Sequence, residues 1–246
     1  MQLLKPDPQF THSRKAKKNF LLAIQIALSA LALLWFILIL DQYFDLQLSR
    51  FGLKPRDAVG LLGVLTAPLL HGDFEHLFSN SLPLIVGLTT ILYLYPNSAF
   101  RALPIIWLGS GLLAWVIGRP SMHIGVSGVI YGVLAFVFVS GVIRRDMRSI
   151  AVSLLVWFLY GSMVWGILPI RPKMSWELHL SGAIFGVVIA LLYRNWDRVP
   201  IKRYEWEDDD SVPDWYPDPE RDAERLAAQE REESTNNQEP RPPSIH

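Results

Sequence analysis

The chain has no cysteine. Disulfides, zinc–thiolate sites and thiol catalysis are therefore excluded. Neither charge is in excess, since 23 Lys and Arg balance 23 Asp and Glu. There is no basic patch for nucleic acid and no repeat of fixed period. Across residues 20–40, "FLLAIQIALSALALLWFILIL", there is no charged residue at all. About 20 apolar residues, at 1.5 Å rise each, cross a hydrocarbon core of about 30 Å. A secretory apolar core is shorter and leads to a small-residue cleavage site; the "DQYFD" that follows offers none. Residues 20–40 therefore read as a retained transmembrane helix.

Further apolar blocks run over roughly 76–96, 102–118, 127–143, 149–170 and 176–193. Lipid offers the backbone no hydrogen bonds, and these blocks lack the alternation of barrel strands. The expected fold is an all-α membrane protein with six transmembrane helices. Thirteen Lys and Arg then fall on the N-terminal side, among them Lys5, Arg101, Arg144 and Arg203. Six fall on the other side, among them Arg50, Arg119 and Lys173. The bias puts both termini in the cytoplasm. The expected division is 1–19, a basic cytoplasmic segment; 20–193, the six-helix domain; and 194–246, an acidic, disordered cytoplasmic tail. From Tyr204 onward the tail has fourteen acidic residues against four arginines, too little apolar surface to fold alone. Residues 41–75 make one long outer connection. Its "AVGLLGVLTAPLL" is apolar but too short to span, so it is expected to lie in the interface or to re-enter partway.

Polar residues then stand where they are costly. Ser127 opens the fourth span in "HIGVSGVIYG". His179 lies near the start of the sixth in "WELHLSGAIFG". His71, His76 and Asn80 lead into the second in "HGDFEHLFSN". All three spans run inward, so these groups share one level near the outer face. Singly, each has a bland reading: a packing serine, an interfacial histidine, glycines for close helix contact. Together they fit nucleophilic chemistry, in which a histidine takes the serine proton and nearby donors hold an oxyanion. His76 and Asn80 share a helix face at i, i+4. The Ser127 N–H, at a helix start, is another donor. Tyr131 can pack on the His179 ring. Asp73 and Glu75 are expected at the rim, and Glu177 faces away from His179. A Ser–His dyad is favoured over a triad. His123 is expected to be structural or interfacial.

These motifs, "GVSG" at 125–128 with Tyr131, "HLSG" at 179–182 and "HGDFEHLFSN" at 71–80, resemble those of the rhomboid family of intramembrane serine proteases. Their order and their spans match its six-helix bacterial core. GxSG alone is shared with many hydrolases; the three together are specific. The resemblance implies Ser127 as nucleophile and His179 as general base. It implies His76, Asn80 and the Ser127 N–H as oxyanion donors, and Tyr131 as support for the histidine ring. It implies His71 as an organiser of the outer loop. Gly125 and Gly128 belong to the serine motif, and Gly182 and Gly186 form a GxxxG that lets span six approach span four. No cofactor and no metal is implied. The implied partners are single-pass transmembrane substrates, with a small residue such as Ala before the cut, and the lipid bilayer. Oligomeric state is left open. The implied location is integral and multi-pass, in a bacterial inner (cell) membrane.

One departure is visible. Many rhomboids carry a Trp-Arg pair in the outer loop, whereas residues 41–75 contain Arg50 and Arg56 but no tryptophan. Loop anchoring is therefore an open point. Glycine 166, near the end of span five, is expected to tolerate a larger side chain better than Gly182 or Gly186. The competing functions are a catalytically inactive rhomboid-like protein that binds membrane clients, which would lack Ser127 or His179, and a small proton-relaying transporter, which would want deep carboxylates and a repeated topology.

Overall fold

The computed structural model describes residues 13–144, 146–170, 174–197 and 219–236. Lys5, Lys173 and Arg203, named above for orientation, lie outside them, as do Arg145, Arg171, Arg198 and Lys202, which belong to the same counts. The chain divides into two units, Met1–Val199 and Pro200–His246. All regular elements among the described residues are helical, apart from one isolated bridge between Leu53 and His123.

The first unit carries α1 (Arg14–Phe44), the short α2 (Gly63–Thr66), α3 (Phe74–Leu94), α4 (Pro96–Ile117), α5 (Ser127–Arg144), α6 (Met147–Tyr160) and α7 (Trp176–Leu192). Among the described residues, five helices are long and apolar enough to cross a membrane: α1, α3, α4, α5, and α6 with its 3₁₀ extension to Ile167. The apolar α7 has 17 residues. Helix α1 starts at Arg14, within the segment expected to precede the first span, because Ser13 caps it by accepting the Ala16 N–H. Span five, expected as one run over 149–170, is α-helical only to Tyr160 and continues as a 3₁₀ helix over Gly161–Ile167.

Helix α5 is the most enclosed of the spans and packs against α3, α4, α6 and α7. Its contact with α7 is backbone on backbone. A β-carbon on Gly182 would strike the Gly128 carbonyl, and one on Gly186 would strike the Gly132 carbonyl. Glycine at these positions removes the side chains that would hold the helices apart, the usual device where lipid supplies no hydrophobic force between helices. By contrast α1 and α6 turn large apolar side chains outward, such as Phe36, Leu154 and Phe158.

The 45–73 connection folds back onto α4. Leu53, Val64 and Ala67 form a small apolar core against Trp115, and Val64 fits against Gly111. The open question of its anchoring is answered by a tryptophan outside the loop. Trp115 Nε1 of α4 donates to the Asp57 carbonyl at 2.9 Å. The Arg56 N–H donates to the Trp115 carbonyl at 3.1 Å, and the Arg56 guanidinium to the Val116 carbonyl at 3.0 Å.

At the other end of α5, Asp197 lies four residues beyond the expected domain end at 193. Its carboxylate accepts the N–H groups of Asn97 and Ser98, each at 2.9 Å, and the Ser98 hydroxyl. Tyr95, just before α4, has no capping side chain, so Asp197 satisfies the first-turn donors from across the fold.

The second unit holds α8 (Pro219–Asn236), inside the tail expected to lack structure. "PERDAERLAAQEREESTN" has Pro at its first position, acidic residues in its first turn and good helix formers after them. Its residues 222–231 are exposed, so local propensity rather than burial accounts for it.

Candidate active site

Ser127 is the first residue of α5, so its N–H has no partner within the helix's own ladder. The turn before it needs Gly125, whose φ of +110° is left-handed. A β-carbon there would also lie 2.8 Å from His76 Cε1. The turn is held by the Gly125 N–H on the Ala67 carbonyl at 2.8 Å and by the Val126 N–H on His71 Nε2 at 3.4 Å. His71 is 3% exposed. Burial, with the neighbouring His76 adding to it, pushes its pKa from 6.5 down to about 4. It therefore stays neutral and accepts.

His179 lies in the first turn of α7. Its Nε2 is 2.7 Å from Ser127 Oγ, and its Nδ1 is 2.9 Å from the Gly166 carbonyl. A carbonyl can only accept, so Nδ1 carries the proton and neutral His179 presents the Nε2 lone pair to the serine hydroxyl. Tyr131, one turn along α5 from Ser127, stacks on the imidazole with centroids 4.2 Å apart and planes 6° apart. The Tyr131 hydroxyl donates to the Met163 carbonyl at 2.7 Å. Both carbonyls come from the 3₁₀ segment after α6.

A cavity of about 880 Å³ opens beside this pair. Its lining includes Ser127, Tyr131, His179, His76 and Asn80. Asn80 is buried, and its Nδ2 has no hydrogen-bond partner among the described residues. An amide donor without a partner, on the wall of a cavity that holds a serine–histidine pair, is available to a ligand oxygen. Asp73 and Glu75 sit at the exposed mouth, where Asp73 caps α3 through the His76 N–H at 2.7 Å.

The family model of the Rhomboid domain matches residues 59–196. The chain belongs to the rhomboid family. With its apolar helices it is an integral, multi-pass membrane protein. An uncharacterized protein of Mycobacterium tuberculosis is 41% identical to this rhomboid over 175 residues, 67% of this chain and 72% of the other. One of Mycobacterium bovis matches with the same identity and coverage. One of Mycobacterium leprae is 36% identical over 175 residues, 67% of this chain and 69% of the other.

In this rhomboid the sequence-derived candidates Ser127, His179, Tyr131, His76 and Asn80 meet at one cavity, while His71 sits behind it under the Ser127 turn. His123 is fully buried and pairs its backbone with Leu53 at 2.8 and 2.9 Å, a structural position. Two contributors escape the sequence reading, the carbonyls of Gly166 and Met163, because any residue type carries a carbonyl. Gly166 is itself a close position: a β-carbon there would strike the Tyr131 hydroxyl and lie 3.4 Å from His179 Nδ1, a side-chain clash where Gly182 and Gly186 would meet main chain.

Proposed function

We propose that this rhomboid is an intramembrane serine endopeptidase working through a Ser127–His179 dyad, with α7 as the sixth span and both termini cytoplasmic. The observation that carries the reading is the 2.7 Å approach of His179 Nε2 to Ser127 Oγ at the wall of the cavity. Ser127 Oγ attacks the scissile carbonyl carbon as its proton passes to Nε2. The oxygen becomes an oxyanion, held by the Ser127 N–H, Asn80 Nδ2 and the His76 ring. The imidazolium then gives its proton to the leaving nitrogen, the C–N bond breaks and an acyl-serine remains. Water enters through the cavity, loses a proton to Nε2 and attacks the ester; the acyl C–Oγ bond then breaks, Oγ takes the proton back from Nε2, and the carboxylic acid product leaves with Ser127 and His179 restored. Throughout, the Gly166 carbonyl and the Tyr131 ring keep His179 in one tautomer and one orientation.

The cavity supports hydrolysis within a membrane because it offers water a polar path to the dyad. The substrate class proposed is a single-pass transmembrane protein whose helix unwinds near the outer interface, since an intact helix ties up its carbonyls in its own hydrogen bonds. A small residue before the cut follows from the family. The site in a bacterial inner membrane belongs to the same reading. The test is incubation of the detergent-solubilised protein with a generic single-pass substrate beside Ser127→Ala. Cleavage by the unaltered protein alone supports the reading; equal product from both, or none from either, overturns it.

A further inference from the structure

Glu177 stands two residues before His179 and is bonded to Arg119 rather than to the dyad, yet it is the most deeply buried charge at the site end. Its side chain is 0% exposed. It receives three hydrogen bonds from one residue, Arg119: from the backbone N–H at 3.1 Å, from Nε at 2.6 Å and from Nη2 at 3.3 Å. Arg119 Nη2 also donates to the Met174 carbonyl at 2.7 Å. Two links to the start of α7 thus come from a single guanidinium, while Ser175, which precedes α7, makes no capping hydrogen bond.

Arg119 begins the connection that ends at Ser127. Its carbonyl accepts from His123 Nε2 at 3.2 Å, His123 is paired with Leu53, and the turn at Gly125 and Val126 is tied to Ala67 and His71. The run from Arg119 to Ser127 is therefore pinned along its length. Arg119 is where that pinned run grips the segment that carries His179. Farther into the bundle the same two segments touch through Gly128 against Leu178 and Gly182. The dyad sits between these two attachments.

We propose that Arg119 and Glu177 form a positioning pair for the dyad, fixing the outer end of α7 against the run that leads to Ser127 so that His179 Nε2 stays within hydrogen-bond reach of the serine hydroxyl. This rests on the protease reading above. The Glu177 side chain is buried while that of Arg119 is 40% exposed, and such a half-buried ion pair is a weak source of stability. What a guanidinium–carboxylate fork supplies is a fixed distance and a fixed angle. Near a site whose chemistry needs a heavy-atom approach of about 3 Å, that is the property with consequence.

The test compares Glu177→Gln, which keeps the shape and loses the charge, Arg119→Lys, which keeps the charge and loses the fork, and the double variant. Each is assayed on a single-pass substrate, with Ser127 titrated by a fluorophosphonate so that kcat is expressed per reactive serine. Both single variants are expected to lose about ten- to a hundredfold in kcat, with KM within about twofold of the unaltered protein. Fluorophosphonate labelling should slow in the same proportion, and the double variant should lose less than the product of the singles. A merely structural pair would instead lower the melting temperature and leave kcat per labelled serine unchanged; that result overturns the proposal, as does a rise in KM alone. If the unaltered protein neither cleaves nor labels, the protease reading itself fails and takes this inference with it. That pattern is distinct from an active protein with indifferent variants.

Discussion

The Tyr131 hydroxyl occupies the space a β-carbon on Gly166 would need. The same glycine's carbonyl accepts the hydrogen bond donated by His179 Nδ1–H, so the ring's stacking partner and its hydrogen-bond partner are packed against each other. Gly166→Ala should displace Tyr131, tilt His179 and lower kcat by about tenfold or more. Gly182→Val should be at least as damaging, because it would drive α7 from α5. Equal kcat in Gly166→Ala and the unaltered protein would show that the 3₁₀ segment can move aside without cost.

Ser127→Ala and His179→Ala should each abolish cleavage of a single-pass substrate while the protein still inserts and unfolds cooperatively in detergent. The double variant should be no worse than either single, because the two act as one unit. Residual activity in His179→Ala would send the search for the base elsewhere.

Asn80→Ala and His76→Ala should act on kcat more than on KM, since an oxyanion exists only on the way to the transition state. Loss of one such donor typically costs about 10²–10³ in rate. Steady-state kinetics on one peptide sequence would separate the two parameters. A rise in KM alone would assign both side chains to substrate binding instead.

His71 gives the fold a pH dependence with a definite sign. Its folded pKa of about 4 lies below its ordinary 6.5, so between those values the unfolded chain binds more protons. Stability is then full above about pH 6.5 and falls as the pH drops towards 4. Melting temperatures across that window should fall less steeply for His71→Gln, whose side-chain oxygen can still accept the Val126 N–H and cannot titrate. Parallel curves for the two proteins would remove His71 as the cause.

Asp197 should matter more than the acidic residues beyond it. Ending the chain after Arg203 keeps the cap on α4, and the melting temperature should hold. Ending it after Arg194, or making Asp197→Ala, removes the acceptor of two first-turn N–H groups and should cost about 1 kcal/mol. A thermal melt of the three shortened or altered proteins decides between them.

What the sequence makes legible depends on where each piece of information is stored. A candidate site held in side chains could be read: Ser127, His179, Tyr131, His76 and Asn80 stand out by type and spacing, and they line one cavity. So could the α5–α7 contact, since Gly182 and Gly186 have few other reasons to recur at that interval in an apolar helix. Chemistry held in the backbone could not. The carbonyls of Gly166 and Met163 act through geometry alone, in a 3₁₀ stretch whose apolar composition looks like more helix. Partners distant in sequence were equally hidden: Asp197 capping α4, Trp115 reaching back to Asp57, Arg119 clasping Glu177. The helix in the tail is not legible from the missing core, because local propensity alone can favour a helix.

The contact of Gly128 with Gly182, and of Gly132 with Gly186, contains no adjustable part. Elsewhere in a bundle, a lineage can exchange Leu for Met and absorb the change by turning a rotamer nearby. Here nothing turns, because main chain faces main chain. Substitution along this seam can thus destroy the spacing between serine and histidine in one step but cannot vary it by degrees. Graded change in the site would have to fall on the loops and the cavity walls, leaving this seam as it stands.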